Sequence, residues 1–252
     1  MRQHNAPPPF FFVNRQSFFV DVIFYNLFSQ APGTDSGTQV ALFAISTLLS
    51  CIALVVLARG NDLGWWAQIL AIFAGPLVIA LQYEASLLFY AVPALLAAAF
   101  GLWRFSRFDA AGKFGRKVLV QGFSIKSLLI GLALVVIFTA LRMGRMLTEG
   151  FIFGDGNASI WMSFIAEATL VVAFIGIACG YRWAWLAATV AGIVYVSVLF
   201  GNNPALALLG LNVFQALVGI YGWISWRSLP VAGSADNTAA ADAKYPPSPY
   251  SA

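Results

Sequence analysis

The chain consists largely of apolar stretches about as long as a membrane is thick, and short polar turns separate them. A hydrocarbon core of about 30 Å needs roughly 20 residues of α-helix. Charged residues make up only 10% of the sequence, whereas a soluble domain carries about 25%. Lipid must therefore cover most of the folded surface. We predict an all-α integral membrane protein with one membrane domain and no sizeable soluble domain.

Seven apolar runs have the length of a membrane helix. They are predicted at about 39–57, 64–81, 85–103, 124–141, 160–180, 183–200 and 204–227. Residues 1–36 form an N-terminal tail, with a short interfacial helix at 17–28 whose aromatic side chains would enter the headgroup region. Residues 229–252 are rich in Ala, Ser, Pro and Asp without periodicity, and this C-terminal tail is predicted to be disordered.

The spans divide into two similar groups of three. The turn before the second span, ARGNDLGWWAQ, and the turn before the sixth, CGYRWAWLAA, each combine an arginine with two nearby tryptophans. The third and seventh spans contain the similar endings GLWRF and GWISWR. We predict a 3+1+3 bundle of parallel repeats within a transporter domain at 37–228. Its parts are a first repeat at 37–104, a linker helix at 124–141 and a second repeat at 159–228, with a substrate site between the halves.

Basic residues concentrate on one side of this topology. The turns at Arg59, at 104–117 and at Arg182 lie on the same side as the C-terminus. The positive-inside rule places that side in the cytoplasm and the N-terminus outside. The formal charge of +4 therefore reflects orientation in the lipid bilayer and does not indicate nucleic acid binding.

Patterns of catalysis and metal binding are missing from the sequence. The single histidine, His4, lies in the polar N-terminal tail, and Cys51 and Cys179 fall within apolar runs without CxxC spacing. No glycine-rich segment carries the lysine of a phosphate-binding loop. We predict a protein that is not an enzyme and that uses no cofactor and no metal.

Polar side chains within the spans mark the candidate substrate site. Asn212 and Gln215 are three residues apart, so they share one helix face; Gln68 and Tyr90 lie in the second and third spans. Glu167 lies near the middle of the fifth span, where a carboxylate costs about 2.5–3.5 kcal/mol to insert. We expect it to face the bundle interior, as a substrate or proton-coupling group or as a protonated acid bonded to another helix. The alternative for the amides is a structural role between helices.

Tryptophans open the second and sixth spans. The aromatic belt at the membrane interface explains such residues. An inward indole would instead offer a flat face to a planar, cationic ring. Trp183 and Trp185 are therefore further candidates for substrate binding.

Several motifs resemble those of the PnuC nicotinamide riboside transporters. In the first half they are ARG before an aromatic-led span, YAVP at 90–93 and the GLWR ending of the third span. In the second half they are W-x-W at 183–185 and N-x-x-Q-x(5)-Y-G-W-x-x-W-R from Asn212 to Arg227. The resemblance extends over residues 37–228. It implies seven spans in a 3+1+3 arrangement related to the sugar-carrying SWEET proteins.

The resemblance also implies a function. It predicts a trimeric facilitator of nicotinamide riboside in the bacterial inner membrane, coupled to a cytosolic kinase that phosphorylates the substrate and prevents its return. Three positions of the implied site depart from the family: Thr189 replaces an asparagine, Ala71 a polar residue and Gln68 a glycine. Thiamine, riboflavin or a small sugar therefore stay open as substrates. A membrane scaffold subunit without transport activity is the alternative from another class.

Overall fold

The computed structural model describes residues 23, 25–29, 36–82, 88–105, 118, 120–148, 150, 158–200 and 206–229. Its main elements, in chain order, are α1 (Gly37–Ala58), α2 (Leu63–Ile72, continuing through a π-helical turn at Phe73–Leu77 into Val78–Gln82), α3 (Leu88–Phe105), α4 (Ile125–Thr148), α5 (Ala158–Ala178), α6 (Trp183–Leu199) and α7 (Leu206–Ser225).

The predicted all-α membrane fold is confirmed. Within the described residues, six helices are long and apolar enough to cross a membrane, and the apolar α6 adds a shorter seventh of 17 residues. The predicted bounds are correct to within three residues, except at the end of α4. That helix was predicted to end at 141 but continues to Thr148, because Arg, Met and Leu are good helix formers. Most of the predicted interfacial helix and of the C-terminal tail lies outside the described residues.

Two turns of the same shape follow the first helix of each repeat, α1 and α5. Gly60 and Gly180 adopt left-handed φ angles of 75° and 85°. The N–H of Gly60 donates to the Leu57 carbonyl at 2.8 Å, and the next N–H donates to the carbonyl five residues back at 3.1 Å. The same two bonds form at Gly180, each at 2.9 Å. Both α1 and α5 therefore end in a Schellman motif, in which glycine relieves the steric cost of the left-handed residue.

A short segment before α4 joins these two turns. The Val118 N–H donates to the Gly60 carbonyl, and the Gln121 N–H donates to the Gly180 carbonyl, both at 2.9 Å. Val118 and Val120 are fully buried. We call residues 118 and 120–121 the strap, and the end of the bundle that contains it the turn end. The strap links the two repeats through backbone hydrogen bonds that do not depend on side-chain identity.

Six helices form a closed ring. Starting from α1, each helix contacts the next in the order α1, α7, α6, α5, α3 and α2, and α2 returns to α1. The linker helix α4 packs on the outside of α5. Each repeat thus contributes three adjacent helices, and the repeats meet where α1 contacts α7 and where α3 contacts α5. A ring of this kind encloses a space at its centre.

An aromatic layer fills the ring at the turn end. In the first repeat Trp65 meets Phe105 edge-on at 5.8 Å between ring centroids, and in the second Trp185 meets Trp226 at 5.6 Å. The indole N–H of Trp226 donates to the Leu57 carbonyl at 3.3 Å, which joins the two halves. Close helix approach is possible because Gly101 faces Trp65 and Gly222 faces Trp185.

The approach of Gly222 to Trp185 leads to a stability prediction. A Cβ added at Gly222 would lie 2.4 Å from the Trp185 ring, whereas at Gly210, in the same helix, it would meet nothing within 4 Å. Overpacking of this kind costs about 1–3 kcal/mol. We expect Gly222→Ala to lower the thermal unfolding midpoint of the detergent-purified protein. Gly210→Ala should leave it unchanged or raise it; an equal effect of both would contradict this packing.

Candidate functional site

A cavity of about 260 Å³ lies at the centre of the ring, and all six ring helices line it. Its polar lining includes Ser46, Thr47, Gln68, Tyr90, Glu167, Tyr195, Asn212 and Gln215. Small-molecule sites usually have volumes of roughly 300–1,000 Å³. The cavity is therefore of a size that suits a small substrate.

The cavity is closed toward the turn end. Phe174 lines it and contacts the fully buried Trp65 at 6.5 Å between ring centroids. In the opposite direction the lining extends to Leu208, in the first turn of α7, and to Ile79, near the end of α2. The aromatic layer therefore forms the floor of the cavity, and the lining extends from it toward the end at which α1 begins.

Local distortion of α2 shapes one wall. The π-helical turn Phe73–Leu77 contains Pro76, which lines the cavity and cannot donate a backbone hydrogen bond. Ser46 approaches Gly75 from α1 and donates its hydroxyl to the Ala71 carbonyl at 2.8 Å. Such π-turns are frequent at functional sites. Here the turn brings α1 and α2 into close contact beside the cavity.

Three buried amides present acceptor oxygens to the cavity. Asn212 donates its Nδ2 to the Leu208 carbonyl at 2.8 Å, and Gln215 donates its Nε2 to the Ala188 carbonyl at 3.1 Å. The Oε1 of Gln68 is buried without a hydrogen-bond partner in the described part of the chain. Asn212 and Gln215 each use one N–H donor on a helix carbonyl, so each keeps one N–H donor and its carbonyl oxygen for a ligand. A substrate with N–H or O–H groups would satisfy the acceptor oxygens.

Glu167 belongs to a network that separates two cavities. Its Oε2 lies 3.7 Å from the Arg142 Nε, and the Tyr195 side chain forms a hydrogen bond with it. Glu167 and Tyr90 also line a second cavity of about 310 Å³ between α3, α4 and α5. Arg142 lies in that second cavity, 5.1 Å from the centroid of the Phe164 ring. The Glu167 carboxylate therefore lies in the wall between the two cavities, and Arg142 compensates its charge from the side of the second cavity.

The position of Arg142 corrects one prediction. The sequence placed the end of the fourth span at about 141, which left Arg142 and Arg145 outside it, but both lie on α4. Arginine can extend along an apolar surface toward the membrane interface, so the continuation of the helix is tolerated. The consequence is that the buried charge at Glu167 acquires a partner that the sequence did not indicate.

The structure brings together five of the eight predicted site residues. Gln68, Tyr90, Glu167, Asn212 and Gln215 all line the central cavity. Their substrate contacts stay predictions. Ser46, Thr47, Ser50 and Tyr195 also line the cavity but were missed. The four-residue spacing of Ser46 and Ser50 within an apolar span is a sequence signal that could have revealed these two serines.

Trp183, Trp185 and Thr189 do not line this cavity. Trp185 is fully buried in the aromatic layer against Trp226. Trp183 faces α4, where its Nε1 donates to the Ser127 hydroxyl at 3.1 Å. Thr189 donates to the Trp185 carbonyl at 3.0 Å within the α6–α7 contact. All three therefore have packing roles in the structure, and the aromatic faces at the cavity belong to other residues.

The aromatic lining of the cavity comes from four helices. Phe43, Tyr90, Phe174 and Tyr195 contribute from α1, α3, α5 and α6 respectively. Aromatic rings can stack on planar groups and attract cations through their faces. The arrangement thus combines ring faces with hydrogen-bond acceptors, which is the chemistry needed to hold a planar, polar molecule.

The described fold and central cavity define a seven-helix, multi-pass membrane protein built from two three-helix repeats. No protein-family model matches the chain, and no curated protein matches it. Its structure is similar to a solved structure described as "Crystal structure of the Vitamin B3 transporter PnuC", with a TM-score of 0.59 and 14% identity. The match covers 84% of this chain and 88% of that one. The resemblance to PnuC that the motifs indicated is confirmed at the level of the fold.

The ion pair of Glu167 and Arg142 can be tested by a double-mutant cycle. Each single change, Glu167→Gln or Arg142→Gln, leaves one charge uncompensated and should lower the thermal midpoint in detergent. The double variant should be more stable than the sum predicts, by about 0.5–3 kcal/mol. Arg145→Gln is the comparison variant, because it removes a neighbouring arginine of the same helix whose guanidinium lies over the Phe89 ring at 4.5 Å. Strict additivity of the two changes would contradict the pairing.

Proposed function

We propose that this protein is a membrane transporter that takes up nicotinamide riboside, a vitamin B3-type substrate, by facilitated diffusion. The observation that carries the proposal is the central cavity, which all six ring helices line and into which three buried amides project. The similarity in fold to a vitamin B3 transporter supports the same conclusion. A site between repeats is where transporters of repeat architecture bind their substrates.

The chemistry of the cavity fits the two parts of this substrate. The ribose hydroxyls and the carboxamide N–H₂ are donors, and they match the acceptor oxygens of Gln68, Asn212 and Gln215. The cationic nicotinamide ring matches the aromatic faces of Tyr90 and Tyr195. Because Arg142 compensates Glu167, we assign recognition of the ring charge mainly to the aromatic faces rather than to the carboxylate.

The volume and the lining of the cavity also help to decide between the alternative substrates and against a scaffold role. Its volume of about 260 Å³ favours nicotinamide riboside, thiamine or a small sugar over the larger riboflavin. A scaffold role would use the amides only to join helices. Buried polar groups with structural roles are almost always hydrogen-bonded, so the unpartnered Oε1 of Gln68 favours a ligand-binding role.

We propose facilitated diffusion because the carboxylate beside the cavity is paired. Glu167 has both Arg142 and Tyr195 as partners, which favours a fixed charge over a group that exchanges protons during transport. Substrate uptake into proteoliposomes should then proceed without a proton gradient. Uptake that requires such a gradient, and that loses this requirement in Glu167→Gln, would assign Glu167 to proton coupling instead.

We propose a bacterial inner-membrane location, with the turn end in the cytoplasm. Among the described residues the turn end carries Arg59, Arg104, Lys126, Arg182 and Arg227. Of the basic residues in the described ranges, only Arg142 and Arg145 lie toward the opposite end, and the positive-inside rule gives the orientation. The end at which α1 begins would then face outward. A reporter fused after residue 252 should be active only in the cytoplasm; activity outside would reverse the assignment.

We further propose the assembly and partner that the resemblance implies. Facilitated diffusion alone equilibrates a substrate, so accumulation requires a cytosolic kinase that phosphorylates it after entry. A trimer is the proposed oligomeric state. Cells without such a kinase should equilibrate the vitamin without accumulating it, and the mass of the purified protein–detergent complex should correspond to three chains.

Substrate binding is tested with the purified protein. A ligand at 100 times its dissociation constant should add about 2.7 kcal/mol to stability. We expect nicotinamide riboside to raise the thermal midpoint, and Gln68→Ala, Asn212→Ala and Gln215→Ala each to weaken binding by about 2- to 10-fold, since each removes one hydrogen-bond partner. The same variants should reduce uptake.

Gln121→Ala is the matched control for this experiment. It removes the same kind of side chain, but from the strap, where Gln121 lies outside the central cavity. A shift with thiamine alone would change the assigned substrate. Folded amide variants that take up every tested vitamin at the normal rate would refute the binding site altogether.

A further inference from the structure

A separate cavity of about 680 Å³ lies at the turn end, on the outer side of the aromatic layer. The strap, the beginning of α6 and the end of α7 form its walls. Its polar and aromatic lining consists of Gln121, Tyr181, Arg182, Trp183, Trp223 and Arg227. It shares no lining residue with the central cavity, and neither the proposed substrate nor the transport mechanism gives it a role.

Two arginines converge in this cavity on one indole ring. The guanidinium carbons of Arg182 and Arg227 lie 5.6 Å and 4.0 Å from the centroid of the Trp223 ring. Arg182 donates an Nη2 hydrogen bond to the Trp223 carbonyl at 3.4 Å, and its Nε is buried without a partner in the described part of the chain. Partial burial and the charge of Arg227 both lower the pKa of Arg182.

In the part of the chain that the structure describes, the two positive charges lack a negative partner. The described lining of the cavity contains no carboxylate, and within the described residues neither arginine forms an ion pair. Like charges held this close repel each other, and the first turn of α6 adds the positive end of a helix dipole. An anion between the guanidinium groups would remove this repulsion and could accept hydrogen bonds from both side chains.

The repeat shows that an arginine at position 182 is not required by the turn. The two turns are 120 residues apart, from Gly60 to Gly180. The position that corresponds to Arg182 in the first repeat is therefore Asp62. The same turn geometry forms with an acidic residue at that point, so the arginine is a feature of the second repeat alone. This asymmetry favours a binding role over a structural one.

The surroundings of the cavity indicate the source of the anion. Phe123 and Leu186 line it and are 74% and 41% exposed, on a surface that faces lipid in a membrane. Trp183 stacks on Tyr181 at 6.1 Å between ring centroids, and aromatic side chains of this kind are typical of the membrane interface. Guanidinium groups bind phosphate through paired N–H donors, and basic pockets between membrane helices bind anionic headgroups. We propose that this cavity binds the phosphate of an anionic phospholipid headgroup.

The test uses the delipidated, detergent-purified full chain. Phosphatidylglycerol should raise the thermal midpoint, whereas phosphatidylcholine and inorganic phosphate at the same concentration should not. Arg182→Gln and Arg227→Gln should each weaken apparent phosphatidylglycerol binding by about fivefold, the effect of one interfacial basic residue. Arg227→Lys should retain part of the binding because it keeps the charge.

Arg59→Gln is the control, since Arg59 is an exposed arginine in the matching turn of the first repeat. Equal loss of binding in this variant, or no loss in Arg182→Gln and Arg227→Gln, would overturn the proposal. An equal shift with phosphatidylcholine would also overturn it. A shift with inorganic phosphate of the same size would assign the site to a soluble anion. If Arg182→Gln fails to fold, Arg227→Gln decides, because that side chain is exposed.

Discussion

The paired turns at Gly60 and Gly180 are the constraint on which the rest of the bundle depends. Each ends a helix with a left-handed glycine, and the strap binds the carbonyls of both glycines. Because the turns are held together, the tryptophans that follow them, Trp65 and Trp185, enter the ring at matching positions. The resulting aromatic layer closes the bundle at the turn end, and the central cavity lies on the inner side of this layer.

The apolar ring determines what the polar residues in the cavity can do. A buried polar group without a partner is costly in low dielectric, so Asn212 and Gln215 each donate one N–H to a helix carbonyl, and Glu167 binds Arg142 and Tyr195. Part of the hydrogen-bonding capacity of the lining is therefore already used within the protein. What the cavity can offer a ligand depends on how these side chains satisfy one another, and not only on which residue types are present.

The sequence predicted the spans well because hydrophobic length and turn chemistry are local properties. The repeat was visible for the same reason, since its glycines and tryptophans recur at nearly constant spacing. Side-chain direction is not local. The sequence placed Trp185 in the substrate site, but the contact with Gly222 turns its ring into the aromatic layer. Likewise Arg142 reaches Glu167 because α4 continues past residue 141 and packs on α5, and no single segment reveals that packing.

The two repeats share their scaffold but not their site. Gly60 and Trp65 correspond to Gly180 and Trp185 at an offset of 120, and Gly101 corresponds to Gly222 at an offset of 121. At the same offsets the three amides of the cavity correspond to alanines. Gln68 corresponds to Ala188, Asn212 to Ala91 and Gln215 to Ala94.

A symmetric bundle therefore encloses an asymmetric cavity. The two halves are symmetric where they pack against each other at the turn end, and the matching glycine and tryptophan pairs lie in that contact. A molecule such as a nucleoside has different groups at its two ends, so it gains from walls that differ. The amides concentrate where α7 and α2 face the cavity, while the α5 wall carries the charged pair. For the proposed substrate this division predicts one orientation across the ring, with the hydrogen-bonding groups of the substrate toward the amides.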